Sequence, residues 1–98
     1  MKLFVVTIEC HSIEGYSFTI EGIYDNINQA SAKFYEEVTN DLNSIFPKNL
    51  LDENNNPIAY YQNDDIITQD NYLYVNSSSN EFMYEAQISE HILNKSNY

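Results

Sequence analysis

The chain has 98 residues, with fifteen acidic side chains against four lysines and no arginine, a formal charge of −11. So few and so scattered cations (Lys2, Lys33, Lys48 and Lys95) cannot neutralise a phosphate backbone, which argues against direct binding to nucleic acid, to an anionic membrane or to phosphorylated substrates. A single cysteine excludes a disulfide scaffold, and no apolar run approaches the roughly 18 residues of a membrane-spanning helix.

The length fits one domain, 1–98. Fourteen aromatic residues, nine of them tyrosine, and abundant Ile, Leu and Val argue against global disorder despite the charge. Residues 3–10 alternate, with Phe4, Val6, Ile8 and Cys10 on one side, and predict a strand rather than a signal peptide. Ser12-Ile13-Glu14-Gly15 predicts a turn. Residues 16–24 alternate again, with Tyr16, Phe18 and Ile20 expected inward and Ser17, Thr19 and Glu21 outward, so that the two segments form a hairpin. Gly22 interrupts the second strand and suggests a bulge or a close approach.

From residue 27 the period changes. Ile27, Ala30, Phe34, Val38, Leu42 and Ile45 step by three and four, which predicts a helix over 27–46, capped by Asn26 and stopped by Pro47. Its outer face is expected to carry Lys33, Glu36, Glu37, Asn40, Asp41 and Ser44. An Asn-rich loop around Asp52 and Glu53 follows, ending at Pro57. Short extended pieces are expected at 58–61 and 66–68, with a turn at Asp64-Asp65 between them. A clearer strand at 72–75, a turn over 76–80 and an alternating strand over 81–89 make a second hairpin, and residues 94–98 read as a frayed tail. The order β-β-α-β-β(-β) predicts an α+β fold, an antiparallel sheet of four to six strands with one long helix across one face.

No pattern of residues specifies a reaction. Cys10 and His11 are strand neighbours and face opposite sides, so they cannot share a metal or act as nucleophile and base, and Cys10 continues an apolar face as a buried, inert thiol. With two glycines there is no phosphate-cradling loop and no Gly-x-Ser-x-Gly elbow. Asp64, Asp65 and Asp70 lack the spacing and central glycine of a calcium loop. No catalytic residue, metal ligand or cofactor is expected. The charge exceeds in magnitude the roughly 2–8 that solubility usually calls for, and a surplus at that level weakens the fold by self-repulsion. Glu37 and Asp41, one helical turn apart with Glu36 beside them, tolerate a like-charge cost that packing does not demand. A row of carboxylates on a rigid helix could occupy a groove built for phosphates; a merely solvated face is the competing account.

Short, acidic, glycine-poor and without catalytic motifs, with Glu21-Gly22-Ile23-Tyr24-Asp25-Asn26 leading into a helix that holds Ala30 and Phe34, the chain resembles small phage-encoded inhibitors, including anti-CRISPR proteins and other nucleic-acid mimics. It also resembles acidic immunity proteins that neutralise basic nuclease toxins. The resemblance implies a cytoplasmic protein, acting in the host cytosol if phage-encoded, that binds a basic nucleic-acid-handling protein such as a CRISPR effector or nuclease and competes with its DNA or RNA. The expected contact residues are Glu36, Glu37, Asp41, Asp52, Glu53, Asp64, Asp65 and Asp70. The alternative is a homo-oligomeric structural or accessory protein, at its simplest a homodimer, in which edge strands pair across subunits and the charge only solubilises.

Overall fold

The structure, a computed structural model, describes residues 1–58 and 64–92. Five strands form one antiparallel sheet: β1 (Lys2–Ser12), β2 (Gly15–Tyr24), β3 (Asp64–Gln69), β4 (Tyr72–Ser77) and β5 (Phe82–Ile92), in the order β2-β1-β5-β4-β3. The one α-helix among the described residues, α1 (Ile27–Ser44), follows β2 and lies over β2, β1 and β5. The architecture is α+β, in the order β-β-α-β-β-β. No helix among the described residues is long and apolar enough to cross a membrane.

The core lies between α1 and one face of the sheet. Val6 and Ile8 of β1, Leu73 and Val75 of β4, and Phe82, Tyr84 and Ala86 of β5 meet Ala30, Phe34 and Val38 of the helix. Asn26 caps α1 by accepting from the backbone N–H of Asn28 at 2.7 Å and of Gln29 at 3.4 Å. The helix ends at Ser44, two residues earlier than the periodicity suggests. Ile45 is exposed, while Phe46 turns into the core and packs edge-on against Phe82 and Tyr84, ring centroids 5.1 and 4.8 Å away. A short 3-10 turn (Lys48–Leu50) buries Leu50. The Asn-rich loop is tied to its surroundings by side-chain amides, Asn55 donating to Asn43 at 2.7 Å and Asn49 to Asn80 at 3.0 Å. Asp64-Asp65, expected as a turn, open β3 instead; the turn that precedes β4 falls at Asp70-Asn71, where Asn71 takes a left-handed φ of 60°. The strand β4 runs on to Ser77, so the following turn begins at Ser78 rather than at Asn76. The extended piece expected at 58–61 lies, beyond Ile58, outside the described residues, as does the tail at 94–98.

The main correction concerns the phase of β2. Tyr16, Phe18 and Ile20 do not face the helix; they are exposed on the opposite side of the sheet, and Ser17 and Thr19 take the helix side. The cause is loop length. Two residues separate Ser12 from Gly15, so Cys10 pairs with Ser17 and Ile8 with Thr19, and even positions of β1 share a side with odd positions of β2. Gly15 closes this turn with φ 141°. The register then shifts by one at Glu21, an extra residue opposite the Val6/Thr7 step, so that Gly22 and Tyr24 return to the helix side, opposite Val6 and Phe4. Both expectations for Gly22 hold there. It adjoins the bulge, and the Tyr24 ring lies over it so closely that a Cβ would stand 2.5 Å from ring carbon Cε2.

Candidate interaction surface

None of the described elements covers the second face of the sheet. Read across the strands from β2 to β3, one row there runs Tyr16, His11, Met83, Asn76, Asp65; the next runs Phe18, Glu9, Glu85, Tyr74, Ile67; a third runs Ile20, Thr7, Gln87, Tyr72, Gln69. The β2 end of these rows is apolar and the middle is acidic. Glu9 and Glu85 are direct partners on adjacent strands, which sets their Cβ atoms roughly 5 Å apart and places like charges where they repel. Each carboxylate is stabilised by a tyrosine. The hydroxyl of Tyr16 donates to Glu9 Oε2 at 3.1 Å and that of Tyr72 donates to Glu85 Oε2 at 2.7 Å. These bonds favour the protonated phenols, so Tyr16 is raised above the ordinary tyrosine range and Tyr72 is pushed up to about 12. The His11 ring packs tilted against Tyr16, ring centroids 4.2 Å apart and planes at 48°, with Nε2 3.7 Å from Glu9 Oε1.

Among the described residues no lysine lies on this face. Lys2, in phase with Phe4, pairs with Glu90 at 3.2 Å on the other side; Lys33 is on α1; Lys48 is in the 3-10 turn. Among the described residues the open face therefore offers a carboxylate pair, a third acid at Asp65 and three tyrosines (Tyr16, Tyr72 and Tyr74), with histidine as its basic side chain.

The helix acids are arranged differently from the expectation. Glu36 is exposed, but Glu37 is bound by Lys33 at 2.9 Å. Asp41 does not lie on the outer face. It turns toward the sheet and accepts the hydroxyl of the fully buried Tyr84 at 2.6 Å. Burial raises its carboxyl above the ordinary aspartate range; the Tyr84 hydrogen bond opposes this, and the charges of Glu37 and Glu21 add to it. Burial is also the first cause that pushes the Tyr84 phenol far up, the bond to Asp41 the second. Half-buried Cys10 lies nearby, its thiol raised by burial and then by the charge of Asp41. Thus Asp41 is a structural acceptor at the helix–sheet seam.

The other expected contact residues are spread over the molecule. Asp52 holds the loop that follows α1 by accepting from the backbone N–H of Asn54 at 2.8 Å and of Asn56 at 2.9 Å. Glu53 is exposed in that loop, Asp64 opens β3, and Asp70 sits in the β3–β4 turn. Only Asp65 joins the open-face acids. Glu9 and Glu85 escaped sequence reasoning because each, in its own strand, reads as an outward solvated residue. The local signal was their outward phase; their adjacency depends on β1 pairing with β5, which no local pattern reveals. No three His, Cys, Asp or Glu side chains among the described residues converge as metal ligands would. Fold and surface together define a one-sided α+β sheet protein with an acidic, tyrosine-bearing free face. Compared with protein-family models, curated proteins and solved structures, the chain finds no match.

Proposed function

We propose that the protein is an acidic binding module that occupies a basic, nucleic-acid-binding groove of another protein, such as a CRISPR effector or nuclease, and thereby inhibits it. The observation that carries this reading is the open sheet face, where Glu9 and Glu85 stand side by side with Asp65 in the adjoining row and no lysine among them. A rigid sheet holds the carboxylates without further ordering on binding, and tyrosines add contact area at low entropic cost. A basic groove would relieve the Glu9–Glu85 repulsion that the isolated protein tolerates, which favours a cationic partner over a neutral one. Glu36 and Glu53, exposed elsewhere, contribute to steering by the total charge of −11.

The test is capture from a lysate on the immobilised protein, followed by elution with an oligonucleotide and, separately, with salt. A basic nucleic-acid-handling protein released by both supports mimicry. The double variant Glu9→Gln/Glu85→Gln should weaken that capture by roughly 2- to 30-fold, the sum of two modest surface pairs. Capture that is insensitive to the variant and to the oligonucleotide overturns the reading and leaves the charge as a solubilising feature.

A further inference from the structure

The strand β2 is an edge of the sheet, ten residues long, and its stretch from Gly15 to Ile20 contains no charge and no proline. Natural edges of that kind are normally blunted, because unpaired N–H and C=O groups template further pairing. The direction of those groups follows from the register. Ser12 and Gly15 flank a two-residue loop and must be a hydrogen-bonded pair, so Cys10–Ser17 and Ile8–Thr19 are hydrogen-bonded too. The alternate residues Tyr16, Phe18 and Ile20 therefore direct their backbone N–H and C=O groups outward. The same three side chains are each more than half exposed on the open face, Phe18 at 51%.

We infer that this edge pairs with its counterpart in a second copy of the chain, antiparallel about a two-fold axis at Phe18. That register is the one that joins all three outward-directed residues: Phe18 meets the partner's Phe18, and Tyr16 meets the partner's Ile20. Aromatic–aromatic and aromatic–β-branched pairs are favourable across strands. On the helix side Ser17 meets the partner's Thr19, hydroxyl to hydroxyl. The flanking acids avoid one another, since Glu21 falls opposite the partner's Gly15 and Glu14 opposite the partner's Gly22. The strand is thus complementary to itself in chemistry as well as in hydrogen bonding, as a two-fold interface requires. Five paired residues with half-exposed side chains present on the order of 500 Å² per protomer, so the two copies cover at most about 1,000 Å² in all, the low end for a specific interface. The dimer should accordingly form at micromolar concentration. It joins two five-stranded sheets into one of ten strands and sets the two acidic fields on either side of a shared apolar centre. It stands independently of the inhibitory reading.

Sedimentation equilibrium from about 1 to 500 μM, at low and at high salt, tests it. Two copies at −11 repel, so self-association should strengthen as salt rises. Capture of a basic protein should weaken, so failure of one reading is distinct from failure of the other. Phe18→Lys should weaken the dimer on the order of 1,000-fold, because the axis counts the substitution twice, while circular dichroism stays unchanged. In a Cys10→Ser background, Ser17→Cys with Thr19→Cys should cross-link into a covalent dimer on oxidation, because a directly opposed, non-hydrogen-bonded pair brings the Cα atoms to about 4.5 Å. Ser17→Cys alone should not. A protein that is monomeric throughout, or whose cross-linking ignores this register, overturns the inference. So does a strand pairing taken up only with a foreign peptide.

Discussion

Phe34 and Phe18 sit on opposite faces of the same sheet protein, each at a position that hydrophobic periodicity marks as inward. Phe34 is 2% exposed on the sheet-facing side of α1; Phe18 is 51% exposed on the far side of the sheet. Periodicity establishes which residues of one element share a side. Which side that is depends on how neighbouring elements join, and in β2 a two-residue loop decides it. An apolar stripe facing away from the core is then a property of the surface, and here it lies at the end of an acidic field.

The contrast between the faces should be widest for charge insertion. Phe34→Asp buries an unpaired carboxylate and costs several kcal/mol, enough to unfold a domain of ordinary stability. Phe18→Lys places its ammonium near Glu9 in solvent and should change stability by less than about 0.5 kcal/mol. Circular dichroism and urea midpoints, measured well below micromolar concentration, compare the two. A folded Phe34→Asp variant would show that the helix stripe is not the core.

A subtler contrast uses the same chemistry on both faces, a tyrosine hydroxyl donating to a carboxylate. Removing it beneath the helix, with Tyr84→Phe, leaves Asp41 without its donor in a half-buried seam and should cost about 1–3 kcal/mol. Removing it in the open, with Tyr16→Phe, leaves Glu9 to water and should cost within about 0.5 kcal/mol. Equal losses in the two variants would mean that the seam is as wet as the surface.

The smallest effect concerns pH. Asp41 is raised in the folded protein, so the folded state favours its protonated form. The stability this group contributes is full below the unfolded carboxylate range and declines as pH rises through the higher folded value. Asp41→Asn cannot ionise, so the stability difference between the variant and the natural protein should shift in the variant's favour as pH rises from about 4 to 7. Urea midpoints that stay parallel across that range would place Asp41 in solvent.

Much of the covered face was legible in the sequence, and much less of the open one. The helix, its Asn26 cap and the inward sets of β1 and β5 follow from local periodicity, because each element carries its own stripe. The alternation of β2 is equally clear, yet its phase depends on the loop at Ile13-Glu14 and its reversal on the bulge at Glu21. Asp41 looked like one more outer carboxylate, and only the position of Tyr84, 43 residues later, makes it an acceptor. The expected contact residues follow from acidity along the chain alone. The Glu9–Glu85 pair joins the two ends of the chain, and tertiary pairing of that range leaves no local trace.

The pairing of β1 with β5 has a consequence for how the protein is made. The partner strand of β1 begins at Phe82, so about 70 residues separate the two along the chain. At synthesis rates of about 5–20 residues per second, β1 waits roughly 4–14 s for it. During that interval the β1–β2 hairpin can form, since its contacts are local, but Phe4, Val6 and Ile8 lack the β5 neighbours that complete their layer. Long-range closure of this kind also slows refolding, toward the millisecond-to-second range of sheet-rich domains. The nascent hairpin is then the stage at which the chain is most exposed to capture by a chaperone, with an apolar stripe on each of its faces.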